Sequence, residues 1–277
     1  MSELVLAPGR HGPFPGALAL NAIAAYAAAT GDRTAAVLDG RAVPAVFPAI
    51  LIFEPQEAAR SDLPESVWRH VRGGVHGEHD IVIHRPLVAG EQLDTSSWIS
   101  AVRTSRAGTQ IVMQFEQLDA DGAVAVEQWW TMVLLGLHDV ADLGAMPPDH
   151  RFPDNARAKP VGSASQYIDK DVAHRYAEVS GDWAAHHFDI EVARAAGFDS
   201  VFTHGLCTMG IATHLLLGLV DADPGRVRRV AVRFASPTPL DSELAVNAFG
   251  IDENSFAFEA IANGTTTITH GRLELRS

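Results

Sequence analysis

One segment of this chain is written twice. Residues 26–32 (YAAATGD) and 176–182 (YAEVSGD) share the pattern YAxx[ST]GD at an offset of 150 residues. A second pair, residues 86–93 (PLVAGEQL) and 237–244 (PTPLDSEL), stands at an offset of 151. The first pair is alanine-rich and the second is strand-like, so a common way of ending a helix does not explain both. In 277 residues, ample for two domains of ordinary size, the spacing reads as a tandem duplication.

The order of elements sets the fold class. Residues 15–29 are rich in alanine and leucine and predict a helix with Pro15 near its first turn and Gly31 as its left-handed stop. Residues 43–57 are apolar but carry Pro44, Pro48 and Pro55, which predicts a short or broken helix. From Val71 the texture turns to strands: Ile111, Met113 and Phe115 alternate with polar or outward positions, and DADG at 119–122 supplies a hairpin turn. Residues 138–162 lose periodicity, contain Pro147, Pro148, Pro153 and Pro160, and read as a linker.

The same order then begins again. Residues 204–220 are apolar on nearly all sides, which predicts a buried helix, and strands follow to Leu275 with an Asn263-Gly264 turn before the last. A buried helix wrapped by an antiparallel sheet is a hotdog fold. The expectation is therefore α+β, a double hotdog, with a degenerate first repeat at 1–137, the linker, and an active repeat at 163–277.

A formal net charge of −13 argues against a nucleic-acid or anionic-membrane partner. The densest basic site is Arg226, Arg228 and Arg229, a candidate contact for a phosphate on a small ligand. One cysteine, Cys207, cannot form an internal disulfide, and the N-terminus shows no basic region ahead of an apolar run, so a cytoplasmic location is expected.

Chemistry concentrates between Tyr176 and Gly210. Asp182 and His187 are five residues apart, which on a continuous helix would set their side chains roughly 140° apart. A loop with a single helical turn, allowed by Gly181, brings them together. Asp189 is placed to cap a short helix over 190–196, with Gly197 as its stop. His204 and Gly205 open the buried helix, with Thr203 as a candidate N-cap, and a helix start offers free N–H groups to a developing oxyanion. His186 is expected to point away from the site. The His-His-x-Asp run lacks the spacing of helical zinc sites, so no metal is expected.

The run SGDWAAHH followed by HGL resembles the signature of MaoC-like (R)-specific enoyl-CoA hydratases, or hydratase 2, whose usual form is GDxNPxH. The resemblance implies Asp182 and His187 as the catalytic pair, Gly205 with His204 at the oxyanion site, and a coenzyme A or acyl-carrier thioester as substrate. It implies no cofactor, and the guanidinium groups of Arg226, Arg228 and Arg229 become candidate contacts for coenzyme A phosphates. A homodimer is the expected assembly. Ala184 and Ala185 stand where the family has Asn and Pro, which motivates an alternative, a non-catalytic acyl-thioester-binding subunit; a hotdog thioesterase is a third reading. The proline-broken segment of the first half is expected to leave room for a long or bulky acyl chain.

Overall fold

The computed structural model describes residues 4–277. The first half contributes strands β1 (His11–Ala17), β2 (Gly73–Ile83), β3 (Gln92–Thr104), β4 (Gly108–Leu118) and β5 (Val124–Leu135). The second contributes β6 (Pro160–Ile168), β7 (Phe202–Thr203), β8 (Val227–Phe234), β9 (Thr238–Pro239), β10 (Ser242–Gly250), β11 (Ser255–Ala262) and β12 (Thr265–Leu275). The helices are α1 (Leu20–Thr30), α2 (Ala35–Leu38), α3 (Phe53–Arg60) and α4 (Glu65–Trp68), then α5 (Val172–Ser180), α6 (Ile190–Ala195) and α7 (Gly205–Leu219).

Ten strands form one antiparallel sheet in the order β1-β3-β4-β5-β2-β8-β12-β11-β10-β6. Read inward from either edge, the two halves of this sheet have the same plan, with β1, β3, β4, β5 and β2 answering to β6, β10, β11, β12 and β8. The duplication is thus built into the sheet, and the molecule is a double hotdog. Each half wraps its own helix. In the second half this is α7, whose Leu206, Met209, Ile211 and Leu216 are all buried. In the first, a 3-10 turn at Phe47–Ile52 runs into the eight-residue α3, the broken helix that the three prolines predict.

The seam is β2 against β8, in register from Glu78 opposite Arg233 to Val82 opposite Arg229. Behind the sheet the paired helices meet: Tyr26 of α1 packs edge-on against Tyr176 of α5, ring centroids 6.1 Å apart. Gly210 of α7 lies so close to Tyr26 that a Cβ there would stand 2.4 Å from the phenol oxygen. These contacts make one core of both halves.

Two expectations need correction. Residues 11–17 are an edge strand, not helix: Pro13 and Pro15 carry no N–H, which the outer side of an edge strand tolerates, and α1 begins only at Leu20. The segment 138–162 is not loop throughout, because it ends in a 3-10 turn at Ala156–Ala158 and in Pro160, the first residue of β6. It also lies against the sheet, with Leu143 bridged to Val102 and the Pro148 carbonyl accepting from Arg229 at 2.9 Å. No helix among the described residues is long and apolar enough to cross a membrane.

Candidate active site

The site begins where α5 ends. Gly181 takes the left-handed conformation (φ 77°) and closes the helix by donating to the Ala177 carbonyl. The chain then turns on itself: the Asp182 carboxylate accepts from the Ala184 N–H at 3.2 Å. This is a backbone-to-side-chain turn, so the side chain of residue 184 is not needed to orient the acid. A 3-10 turn at Ala185–His187 comes next, and it delivers the histidine that a continuous α-helix would have carried away. Asp189 caps α6 by accepting from the Glu191 and Val192 N–H groups, and Gly197 lies just beyond with φ 92°, so the loop is fixed at its far end as expected.

His187 donates its Nδ1 hydrogen to the Phe202 carbonyl at 2.9 Å, which leaves Nε2 with its lone pair free. Its pKa is pushed down to about 3, chiefly by burial and then by His204 and His186 beside it. The imidazole is therefore neutral at physiological pH. His204 donates from Nε2 to the Asp182 carbonyl at 2.9 Å and lies over His187 with 3.7 Å between ring centroids. Burial lowers its pKa to about 4. One donor atom from each of Asp182, His187 and His204 lies within 4.8 Å of the others. Two imidazoles and a carboxylate at that spacing have the composition of a metal-binding set, a trio that the local His-His-x-Asp spacing does not reveal.

Gly205 is the first residue of α7, where the leading N–H groups have no carbonyl inside the helix. A Cβ there would stand 3.3 Å from the Phe234 ring. The bare glycine keeps the approach to its N–H open. Thr203 is not the N-cap. It pairs with Thr238 in the small β7-β9 sheet, its hydroxyl has no partner among the described residues, and His204 occupies the cap position.

Asp182, Ala184, His187 and Gly205 face a cavity of about 450 Å³, whose opposite wall comes from α3, β2 and β5 of the first half. His186 is on this cavity too, stacked at 22° on Phe202 with 5.4 Å between centroids, rather than turned away. His76, Gln56 and Trp130 line it as well. Nothing in their local sequence announces them, because they reach the cavity only through the pairing of the two halves.

The arginine cluster does not join this cavity. Arg229 is buried in a bidentate pair with Asp80 across the seam, Nε to Oδ1 3.0 Å and Nη2 to Oδ2 2.6 Å. Arg228 pairs with Glu274, and Arg226 donates to the Arg276 carbonyl at 2.9 Å. Arg229 is thus a structural cation, whereas Arg226, bonded only to neutral oxygens, and Arg228 lie exposed on the surface. Cys207 is buried in α7 with its thiol pKa pushed up, a packed side chain rather than a nucleophile.

Residues 152–272 match the family described as MaoC like domain. This stretch is a MaoC-like domain. Peroxisomal multifunctional enzyme type 2 from Mus musculus is 29% identical over 169 residues, which is 59% of this chain and 22% of that protein. The chain thus spans about a fifth of that relative, and 34% of the Drosophila melanogaster protein of the same name. 3-hydroxyacyl-thioester dehydratase X from Mycobacterium tuberculosis is 28% identical over 221 residues, covering 79% of this chain and 72% of that protein. The MaoC-like domain and the repeat before it share their fold with the crystal structure of a MaoC-like dehydratase from Phytophthora capsici. That likeness has a TM-score of 0.85 at 20% identity and covers 98% of this chain and 96% of the other.

Proposed function

We propose that the protein catalyses the reversible hydration of trans-2-enoyl thioesters to (R)-3-hydroxyacyl thioesters, with coenzyme A thioesters as the favoured substrates. One observation carries the reading: a neutral imidazole with a free Nε2, a carboxylate and a helix-start N–H converge on one cavity. The names of the relatives, hydratase and 3-hydroxyacyl-thioester dehydratase, support it.

In the hydration direction, the Gly205 N–H receives the thioester oxygen as charge develops there. His187 Nε2 takes a proton from water while the water oxygen bonds to C3. The same proton passes to C2 as the enolate collapses, so one water is added and His187 returns to neutral. Asp182 accepts a hydrogen bond from the water's other O–H, which stays on the product oxygen, and so aims the water's lone pair at C3. His204 ties the parts together, holding the Asp182 carbonyl while standing next to Gly205 in the chain. The short α3 leaves the cavity room for a bulky acyl chain. In the same reading the protein acts in the cytoplasm as a homodimer and needs no metal or redox cofactor.

The test tracks loss of the enoyl-thioester absorbance with crotonyl-CoA and longer enoyl-CoAs, for the wild type, Asp182→Asn and His187→Ala, with and without prior chelation. The wild type should turn over in both conditions and each variant should lose at least about a hundredfold. Equal rates in all three would sink the mechanism. Binding without turnover in the wild type would instead leave an acyl-thioester-binding protein.

A further inference from the structure

On the first half's wall of the cavity, besides the exposed Glu57 that pairs with Arg60, two polar side chains keep hydrogen-bonding capacity that the fold leaves unmet. Gln56 of α3 is only 8% exposed and lines the cavity. Its amide nitrogen meets the Met113 sulfur at 3.9 Å, a weak acceptor. His76 of β2 lies flat on the Trp130 ring, 3.8 Å between centroids at 8°. Its Nε2 is buried without a hydrogen-bond partner among the described residues. Around the two stand Phe53, Trp130, Met132 and Phe234.

Strand alternation alone does not put His76 there. The pairing of β2 with β5 passes from His76 opposite Met132 to Glu78 opposite Thr131, skipping Gly77. A Cβ on Gly77 would stand 2.9 Å from Val133 Cγ2, so the bulge is fitted to glycine. Bulges of this kind re-aim a side chain beside a site. Phe234 then links the wall to the reaction centre: its ring centroid is 4.8 Å from that of His76, and its edge is 3.3 Å from where a Gly205 Cβ would be. A thioester seated at Gly205 lies about one phenyl ring from His76 on the scale of aromatic packing.

A plain hydrocarbon chain against this wall would strip Gln56 of water, leave the His76 Nε2 without a partner and return no hydrogen bond to either. We propose that the acyl group taken by this site carries an oxygen function, a hydroxyl or keto group, a few carbon atoms beyond the reacting double bond, received by Gln56 and His76. This rests on the hydratase reading for the thioester end. The pantetheine arm also has hydrogen-bonding amides, but it must run out to solvent, whereas these two groups sit buried among aromatic side chains.

The experiment compares kcat/KM for two trans-2-enoyl-CoAs of equal chain length, one ending in a methyl group and one bearing a hydroxyl or keto group. The wild type should favour the oxygenated substrate by at least about tenfold, as sites built to hydrogen-bond a substrate group discriminate against analogues lacking it. The double variant Gln56→Leu/His76→Phe should abolish or reverse that preference. Equal wild-type rates, or a preference for the plain chain, overturn the proposal. An equal loss on both substrates in the double variant also overturns it, since it assigns the pair to the pantetheine arm or to the scaffold. If the double variant does not fold, the near-isosteric Gln56→Met takes its place with the same readout. If the wild type hydrates neither substrate, the hydratase reading fails, and calorimetry with the matching saturated acyl-CoAs decides this proposal separately. Tenfold tighter binding of the oxygenated thioester supports it, and equal binding overturns it.

Discussion

Asp32 accepts from the Thr34 N–H at 2.9 Å, and 150 residues later Asp182 accepts from the Ala184 N–H at 3.2 Å. Gly31 and Gly181 precede them with φ of 71° and 77°. The two turns are the same object. Beyond them the halves diverge: the position 150 before His187 is the buried Val37, and the position 150 before Gly205 is Pro55, whose nitrogen has no hydrogen. The turn is therefore a device of the fold, and an aspartate within it is no sign of chemistry. In the proposed mechanism the acid is put to use in the second half because an imidazole and a helix-start N–H stand with it on one cavity. In exchange, the first half has the shorter helix, and its wall shapes the cavity.

The largest way to break this contrast is to give the second half the first half's residue. Gly205→Pro removes the proposed oxyanion donor at a helix position where proline is tolerated. Turnover should fall by about 10²–10³ in kcat with the far-ultraviolet circular dichroism unchanged. Retained kcat would remove Gly205 from the mechanism.

Next comes pH. His187 and His79 have pKa values pushed down to about 3 and about 4, and His204 to about 4, burial being the main cause in each. Unfolded histidines titrate near 6.5, so between these limits the unfolded chain binds more protons than the folded one. The stabilisation from neutral burial is complete above about pH 6.5 and is lost as pH falls toward about 3. Melting temperature should decline steadily on acidification from pH 7 to pH 4. His187→Gln and His79→Gln, one in each half, should each flatten part of that decline, and an unaltered slope in both would contradict the assignment.

A smaller effect tests how the halves are joined. Gly210→Ala drives a methyl group toward the Tyr26 phenol and should cost about 1–3 kcal/mol in urea unfolding. If the halves were independent, the cost would vanish. The smallest concerns the short helix after each turn. Asp189 caps α6 through two N–H groups, whereas Thr34 makes no side-chain cap on α2. Asp189→Ala should cost about 1 kcal/mol by the same measurement, and Thr34→Ala clearly less.

Local chemistry was legible in the sequence. The glycine stops after α1 and α5, the Asp189 cap, the Asn263-Gly264 turn (φ 50° and 75°) and the apolar α7 each depend on a few adjacent residues. The repeat carried the double hotdog, and the spacing from Gly181 to Gly205 carried the meeting of Asp182, His187 and Gly205 on one cavity. What failed to show depends on distant partners. Pro15 reads as a helix start until β3 is seen beside it, and Arg229 reads as a free cation until Asp80 meets it from 149 residues away. His204 gives no hint that it will hold a carbonyl 22 residues earlier. His76 faces the cavity only because a bulge and the seam between the halves put it there.

Two matching turns serve two purposes in the proposed mechanism, and Asp32→Asn set against Asp182→Asn in the same enoyl-CoA hydration assay separates them. Asp182→Asn should lose at least about a hundredfold in kcat. Asp32→Asn should keep the wild-type kcat while melting at a lower temperature. Equal kcat in the two variants would show that Asp182, like Asp32, serves only the fold.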